Sequence, residues 1–428
     1  MASQSEPSVP SSAPASAAPP VRIRPLANRN FRLLWIGEGI SHLGDQFYLI
    51  ALPWLVFDLT GSSLAFGAIL LVAGVPRALL MLVGGVVTDR VSPRRVMISS
   101  NLLRLGITAA LTVLIAAQAV HLWLLFVIAF CFGLVDAFFY PAYRAMIPLL
   151  VEDDHLQASN ALMQGTSQII NSVGPGVAGV LVEALGMVLS FGFDALTFLF
   201  SSVMLLLMRP AAVGAQAAPA SAAQRRPMLA EIGDILAYIR RDALLTALIG
   251  VVGAINLLFT GPLVVGSATL AQGRFLEGSA AYGAMLSAFS VGMLAGTVIA
   301  GVIYLKRPGM ISLLLVATQG LFMVGIAFSQ SLVLTCGLWL LIGCTAGFGS
   351  INFVTLTQKR VSKPMIGRFM SLIALAEVGL APLSNAIAGV VADVNVTALF
   401  IGAGLLLTTT CLLAISNRTV REGDMEPA

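Results

Sequence analysis

Apolar residues fill most of the chain in long runs, and short polar joints separate them. Each run is about as long as the roughly 20 residues that a helix needs to cross a bilayer. The pattern places spanning helices near residues 31–57, 62–88, 95–118, 121–147, 155–184 and 186–208. After a polar linker come runs near 242–268, 279–305, 310–328, 331–357, 364–391 and 395–416. The expected fold is an all-α polytopic membrane protein with about 12 transmembrane helices in two pseudo-symmetric six-helix bundles. Residues 1–28 read as a disordered tail, 29–208 as the first bundle, 209–241 as a linker, 242–416 as the second bundle and 417–428 as a second tail. Within the linker, Met228 to Arg241 carries apolar residues at helical spacing between charges, which suits an amphipathic helix on the membrane surface.

Composition and charge sharpen the picture. The chain is 58% hydrophobic and only 10% charged, whereas soluble domains carry about 25% charged residues. Basic residues gather on one side of the expected membrane: Arg22 to Arg32, Arg90 to Arg95, Arg144, Arg209, Arg225, Arg226, Arg240, Arg241, Lys306, Arg307, Lys359 to Lys363, Arg368, Arg418 and Arg421. The other side has Arg274 alone. This asymmetry assigns both termini to the cytoplasm, and the net charge of +4 calls for no nucleic acid. Arginine outnumbers lysine 21 to 3, with much Ala and Gly, which fits a GC-rich bacterial genome and a bacterial cytoplasmic (inner) membrane. Cys131, Cys336, Cys344 and Cys411 lie inside apolar runs with no CxxC spacing, so they read as small core residues.

The joint between the second and third runs is Gly84-Gly85-Val86-Val87-Thr88-Asp89-Arg90-Val91-Ser92-Pro93-Arg94-Arg95. It is too short for anything but two antiparallel neighbours. Gly85, Asp89, Arg90, Arg94 and Arg95 resemble the loop 2–3 signature of the major facilitator superfamily, with Ser92-Pro93 where that signature has one Gly. The resemblance implies a gating element, in which Asp89 and Arg90 latch the two halves on the cytoplasmic side, and Arg144 is grouped with it. Asn171 to Gly179 resembles the exporter signature of the same superfamily through Gly174, Pro175 and Gly179. Asn30 to Trp35, Ser41, Gly44-Asp45, Leu59 to Ser62 and Pro141-Ala142 are similar to the branch that holds siderophore exporters and macrolide efflux proteins (transmembrane secretion effectors). The likeness runs from about Asn28 to Asn417. It implies secondary, usually proton-coupled, transport of amphipathic small molecules.

The halves also echo each other. Gly84 and Asp89-Arg90 correspond to Gly301 and Lys306-Arg307, and Gly174-Pro175 to Ala381-Pro382. Transporters built from such repeats place their sites near the midplane, where the repeats meet.

Ionisable residues inside the runs are the candidate chemistry, because a charge at that depth is costly and normally faces a cavity or a partner. Glu38, His42 and Asp45 share one face of the first helix, and Asp45 is roughly 20 Å deep at 1.5 Å per residue. They read as proton or cationic-substrate sites, with a structural ion pair as the alternative. Arg104 and Asp136 on adjacent spans read as a mutual pair that can still lie on a proton path. Gln164, Gln168 and Asn171 form a stripe ending near Pro175, either as a cavity wall or as interhelical hydrogen-bonding groups. Arg144 is expected to meet Glu152 to Asp154 or the Asp89 loop. Arg77 and Glu377, the latter also a proton-coupling or substrate candidate, lie at depths that agree to within roughly 3 Å. The superfamily resemblance implies that their spans meet across the halves, which makes them a candidate pair in at least one state. The alternative is that each has a partner inside its own half, Arg77 with Asp45 for instance.

There is no nucleotide-binding P-loop and no metal-ligand spacing, so no enzyme, cofactor or metal is expected. The expected function is proton-coupled export of a drug-like or siderophore-like molecule by alternating access, by a monomer in a lipid bilayer. An importer on the same fold, or a non-transporting receptor, is the alternative.

Overall fold

The computed structural model describes residues 24–209, 243–303, 308–361 and 363–417. Among these residues the secondary structure is helical, with no strand. The first half comprises α1 (Arg29–Thr60), α2 (Ser63–Arg90), α3 (Pro93–Ala116), α4 (Leu122–Met146) and α5 (Asp153–Leu206). The second comprises α6 (Ala243–Leu258), α7 (Ser267–Arg274), α8 (Gly278–Val302), α9 (Pro308–Phe328), α10 (Leu332–Arg360) and α11 (Lys363–Ser416). A wide π turn at Pro262–Gly266 joins α6 to α7, so the two act as one membrane crossing.

Nine stretches among the described residues are long and apolar enough to cross a membrane. Two of them, α5 and the apolar part of α11, are far longer than one crossing needs, and both helices are broken. In α5 the break is Gly186, whose φ of 79° lies in the left-handed region that favours glycine. In α11 it is Asn395, whose side chain accepts the Ala398 N–H and restarts the helix. Each break falls at the first residue of an expected span, 186–208 for Gly186 and 395–416 for Asn395. Large apolar side chains such as Leu79, Val302 and Leu413 are exposed, as a surface that faces lipid allows.

Small residues set the packing within each half. Gly84 lies against the Ala137 carbonyl and Gly133 against the Ala73 carbonyl, locking α2 to α4. Gly292 and Gly296 lie against the carbonyls of Leu340 and Cys344, while Gly343 and Gly347 lie against those of Phe289 and Met293, locking α8 to α10. With no hydrophobic drive between helices in lipid, such backbone-to-backbone approach is what holds a bundle together.

Arg24–Ala27, within the stretch assigned to the tail, forms a 3-10 turn. Asn28 then caps α1 by accepting from the N–H groups of Asn30 and Phe31. Asn30 exchanges hydrogen bonds with the Arg209 backbone, so the start of α1 and the end of α5 lie at the same end of the bundle, the terminal end. The expected amphipathic helix at Met228 to Arg241 and the joint at Lys306-Arg307 lie outside the described residues.

Candidate functional site

The contacts between halves gather at the end of the molecule away from the termini. Gly67 of α2 lies against Asn385 and Gly389 of α11, and Gly74 lies against the Pro382 ring. Gly179 and the Pro175 carbonyl of α5 lie against Ser279 and Gly283 of α8, while the Gly176 N–H donates to Ser287 Oγ at 2.8 Å. The two echoed Pro sites therefore do the same work in each half: each meets a helix of the other half through glycine. Trp54 stacks on Tyr282 at 5.8 Å.

Two carboxylates clasp this end. Glu183 of the first half accepts from the N–H and hydroxyl of Ser279 at 3.2 and 2.8 Å, in the first turn of α8. Asp393 of the second half accepts from the Ser62 hydroxyl and the Leu64 N–H at 2.8 and 3.2 Å, at the start of α2. Each carboxylate thus sits on the positive N-terminus of a helix from the other half. Neither was among the sequence candidates, because the contact joins residues about 100 or more positions apart.

Toward the terminal end the halves part. The first half holds a cavity of about 860 Å³. Its polar lining brings together Glu38, His42, Asp45, Arg77, Arg104, Asp136, Arg144, Gln164, Gln168 and Asn171, beside the aromatic faces of Trp35, Phe139, Tyr140 and Tyr143. The second half holds a smaller cavity of about 340 Å³, mostly apolar, lined by Ile255, Phe259, Phe289, Met293 and Phe353, with Asn256, Gln319, Glu377, Ser312 and Ser350 among its polar groups.

Within the larger cavity the candidates sort into three groups. His42 Nε2 meets Asn171 Oδ1 at 2.9 Å, and its Nδ1 lies 3.7 Å from Asp45. The Gln46 amide also donates to Asn171. Glu38 turns away from His42 to accept from Ser201 at 2.9 Å, and Ser201 in turn accepts from Asn101. Arg104 donates directly to Asp136, the expected pair, and Asp136 also has Arg77 at 3.9 Å. Buried Arg104 lies over the Phe139 ring at 4.1 Å and the Phe198 ring at 5.6 Å, so its guanidinium is held between a carboxylate and two π faces. Gln168 donates to the Ser290 carbonyl across the halves, while Gln164 is exposed to the cavity.

Other candidates stand apart. Arg144 donates to the Tyr140 hydroxyl at 2.7 Å and lies over that ring, so in this conformation it meets Tyr140 and not the acids at Glu152 to Asp154. A partner one helical turn away costs less ordering entropy than one across a loop. Arg77 sits with Asp136 in its own half and Glu377 lines the other cavity, and no ion pair joins them here. In the joint after α2, Arg94 donates to the carbonyls of Leu205 and Leu206 and so caps the last turn of α5. Gly85, Arg90 and Arg95 lie along the same joint; the Asp89 side chain lies outside the described residues.

Sequence reading missed Asp194. It sits in the second arm of α5, is fully buried, and among the described residues neither of its oxygens has a hydrogen-bond partner. The signal was present, an acid deep in an apolar run, but its seat against Gly44 is visible only in three dimensions. Among the described residues no group of His, Cys, Asp and Glu is arranged to hold a metal ion.

Residues 21–428 match the transmembrane secretion effector family. The chain belongs to that family. Relatives within reach of this transmembrane secretion effector include macrolide efflux protein A of Streptococcus pyogenes, 23% identical over 406 residues, covering 92% of this chain and 98% of the relative. The multidrug efflux pump Tap of Mycolicibacterium fortuitum is 25% identical over 393 residues, covering 89% and 94%. Among solved structures, a peptide transporter POT in complex with sulfate shares the fold with a TM-score of 0.72 at 14% identity, covering 94% of this chain and 96% of that one. A bacterial homologue of the iron transporter ferroportin does so with a TM-score of 0.66 at 18% identity, covering 91% and 99%. The chain is a multi-pass membrane transporter of the major facilitator type, not an enzyme.

Proposed function

We propose that this transporter is a proton-coupled exporter of amphipathic small molecules, drug-like or siderophore-like, working by alternating access. It acts as a monomer in the bacterial cytoplasmic membrane, with about 12 crossings and both termini in the cytoplasm. The observation that carries the reading is the pair of unlike cavities at the terminal end: one wall carries acids, amides and aromatic rings, and the other is almost wholly apolar. An amphipathic molecule entering between the halves meets a partner for each of its faces. In this arrangement the conformation is open to the cytoplasm and closed outside. Asp45, half-exposed in the larger cavity and next to His42, is the acid best placed to exchange a proton with that opening. Relatives named for macrolide and multidrug efflux support the outward direction. Asp89 and Arg90 are the latch that closes the cytoplasmic side in the opposite conformation, as their position at the end of α2 suggests.

The test uses everted membrane vesicles carrying the full chain, a panel of macrolides, lipophilic cations and siderophores, and an imposed pH gradient. Uptake into the everted vesicles that collapses with the gradient is the expected result. Uptake only in right-side-out vesicles would make the protein an importer, and transport indifferent to the gradient would remove the proton.

A further inference from the structure

Asp194 is a buried acid with no structural work to do. Its oxygens have neither a donor nor an ion pair among the described residues. Oδ1 is packed where Gly44 has no side chain: a Cβ at residue 44 would stand 2.8 Å from it. The α1 backbone therefore closes over the carboxyl like a cover. An ionised carboxylate sealed in this way is among the costliest groups a fold can contain, whereas a neutral carboxylic acid is tolerated.

The ionisable groups around it do not change that. Asp45 and Tyr48 of α1 and Arg104 of α3 interact with it electrostatically, with His42 and Glu38 farther along α1, and Asp136 of α4 acts on Tyr48 and Arg104. Arg104 is committed to Asp136, and Glu38 to Ser201. Asp45 is a like charge. It also follows Gly44 directly and reaches the cavity, so the cover itself and the residue in the opening are joined by one backbone step.

We propose that Asp194 is a proton-binding site, occupied in this conformation, and that it discharges through Asp45 into the cavity. In the transfer the Asp194 O–H bond breaks and an O–H bond forms on the Asp45 carboxylate, which then releases the proton to cavity water. Asp194 is left ionised, so the step requires α1 to shift at Gly44 and admit water or a cation to the new charge. Proton release and movement of α1 are thereby one event. The role in transport rests on the proton-coupled reading above; the occupancy of the site does not.

The sign follows directly. A proton bound here and lost elsewhere favours this conformation, so acid should populate it and alkali should deplete it. The experiment places spin labels at Val91→Cys and Val302→Cys, both exposed near the terminal end of their helices, in full-length protein whose four native cysteines are replaced, reconstituted in lipid. The inter-label distance is read from mildly acidic to mildly alkaline pH. The wild-type background should move from the long distance to a short one as pH rises, and Asp194→Asn, permanently neutral, should hold the long distance throughout. Identical pH responses would overturn the proposal. Should Asp194→Asn not fold, infrared spectra decide: a protonated-carboxyl carbonyl band at neutral pH that shifts in Asp194→Glu is expected, and its absence overturns occupancy. A pH response that tracks Asp194 in a protein whose transport ignores the pH gradient would leave the site standing and sink the coupling.

Discussion

At the scale of single residues, the first helix decides most of the chemistry because it carries both a cavity acid and the gap behind it. Asp45→Asn keeps the shape and removes the carboxylate. It should abolish pH-gradient-driven transport in vesicles while leaving membrane insertion and expression unchanged; undiminished driven transport would take Asp45 out of the mechanism. Gly44 matters for what it lacks. A methyl group there runs into the Thr197 hydroxyl and Asp194, and overpacking of this kind costs about 1–3 kcal/mol. Gly44→Ala should lower the unfolding temperature in detergent, whereas Gly106→Ala, where a Cβ meets nothing within 4 Å, should not. The face shared by Glu38, His42 and Asp45 was legible from spacing alone. That Glu38 is spoken for by Ser201 was not, because the partner is 163 positions away.

At the scale of elements, α2, α3 and α4 are tied together by one carboxylate serving two arginines. Removing the acid strands Arg104, whose side chain is 9% exposed, and stranding a buried charge typically costs about 3–5 kcal/mol. Asp136→Asn should therefore be strongly destabilising in a thermal-shift assay. The double replacement Arg104→Met with Asp136→Leu should recover part of the loss, since an apolar pair leaves nothing uncompensated. If the double variant were as damaged as the sum of its parts, the pair would not be the reason for the damage. Spans three and four were paired correctly from their order in the chain. Arg77 as the third member required the packing of α2 on α4, which rests on Gly84 and Gly133 and not on any charge pattern.

At the scale of the molecule, the closed end is held by glycine contacts and by two carboxylate clasps related by the internal repeat. A charge at a helix N-terminus contributes about 0.3–1 kcal/mol. Glu183→Gln and Asp393→Asn should each shift the conformational equilibrium toward opening of that end by roughly two- to fivefold, seen as faster alkylation of a cysteine placed at Leu64. No change in alkylation in the double variant would show that the glycines alone hold the seal. Arg77 and Glu377 offer a test of the opposite conformation. Here they belong to separate cavities, yet they lie at matching depths on spans that meet in the closed end. Non-additive effects of Arg77→Met and Glu377→Gln on transport, with a cross-link between cysteines at 77 and 377 during turnover, are the expected outcome. Strict additivity without a cross-link would end the pairing.

The sequence by itself determined the membrane class and the all-α fold, because bilayer thickness and helix rise act on each run separately, and its motifs carried the family. Those are local constraints, and a run of apolar residues carries them without reference to the rest of the chain. Only the tertiary structure decided which acids face water and which are sealed. Asp45 and Asp194 look alike as acids deep in apolar runs. The first opens onto a cavity and the second lies shut behind Gly44, since exposure depends on which helices close over a residue and not on its neighbours in sequence.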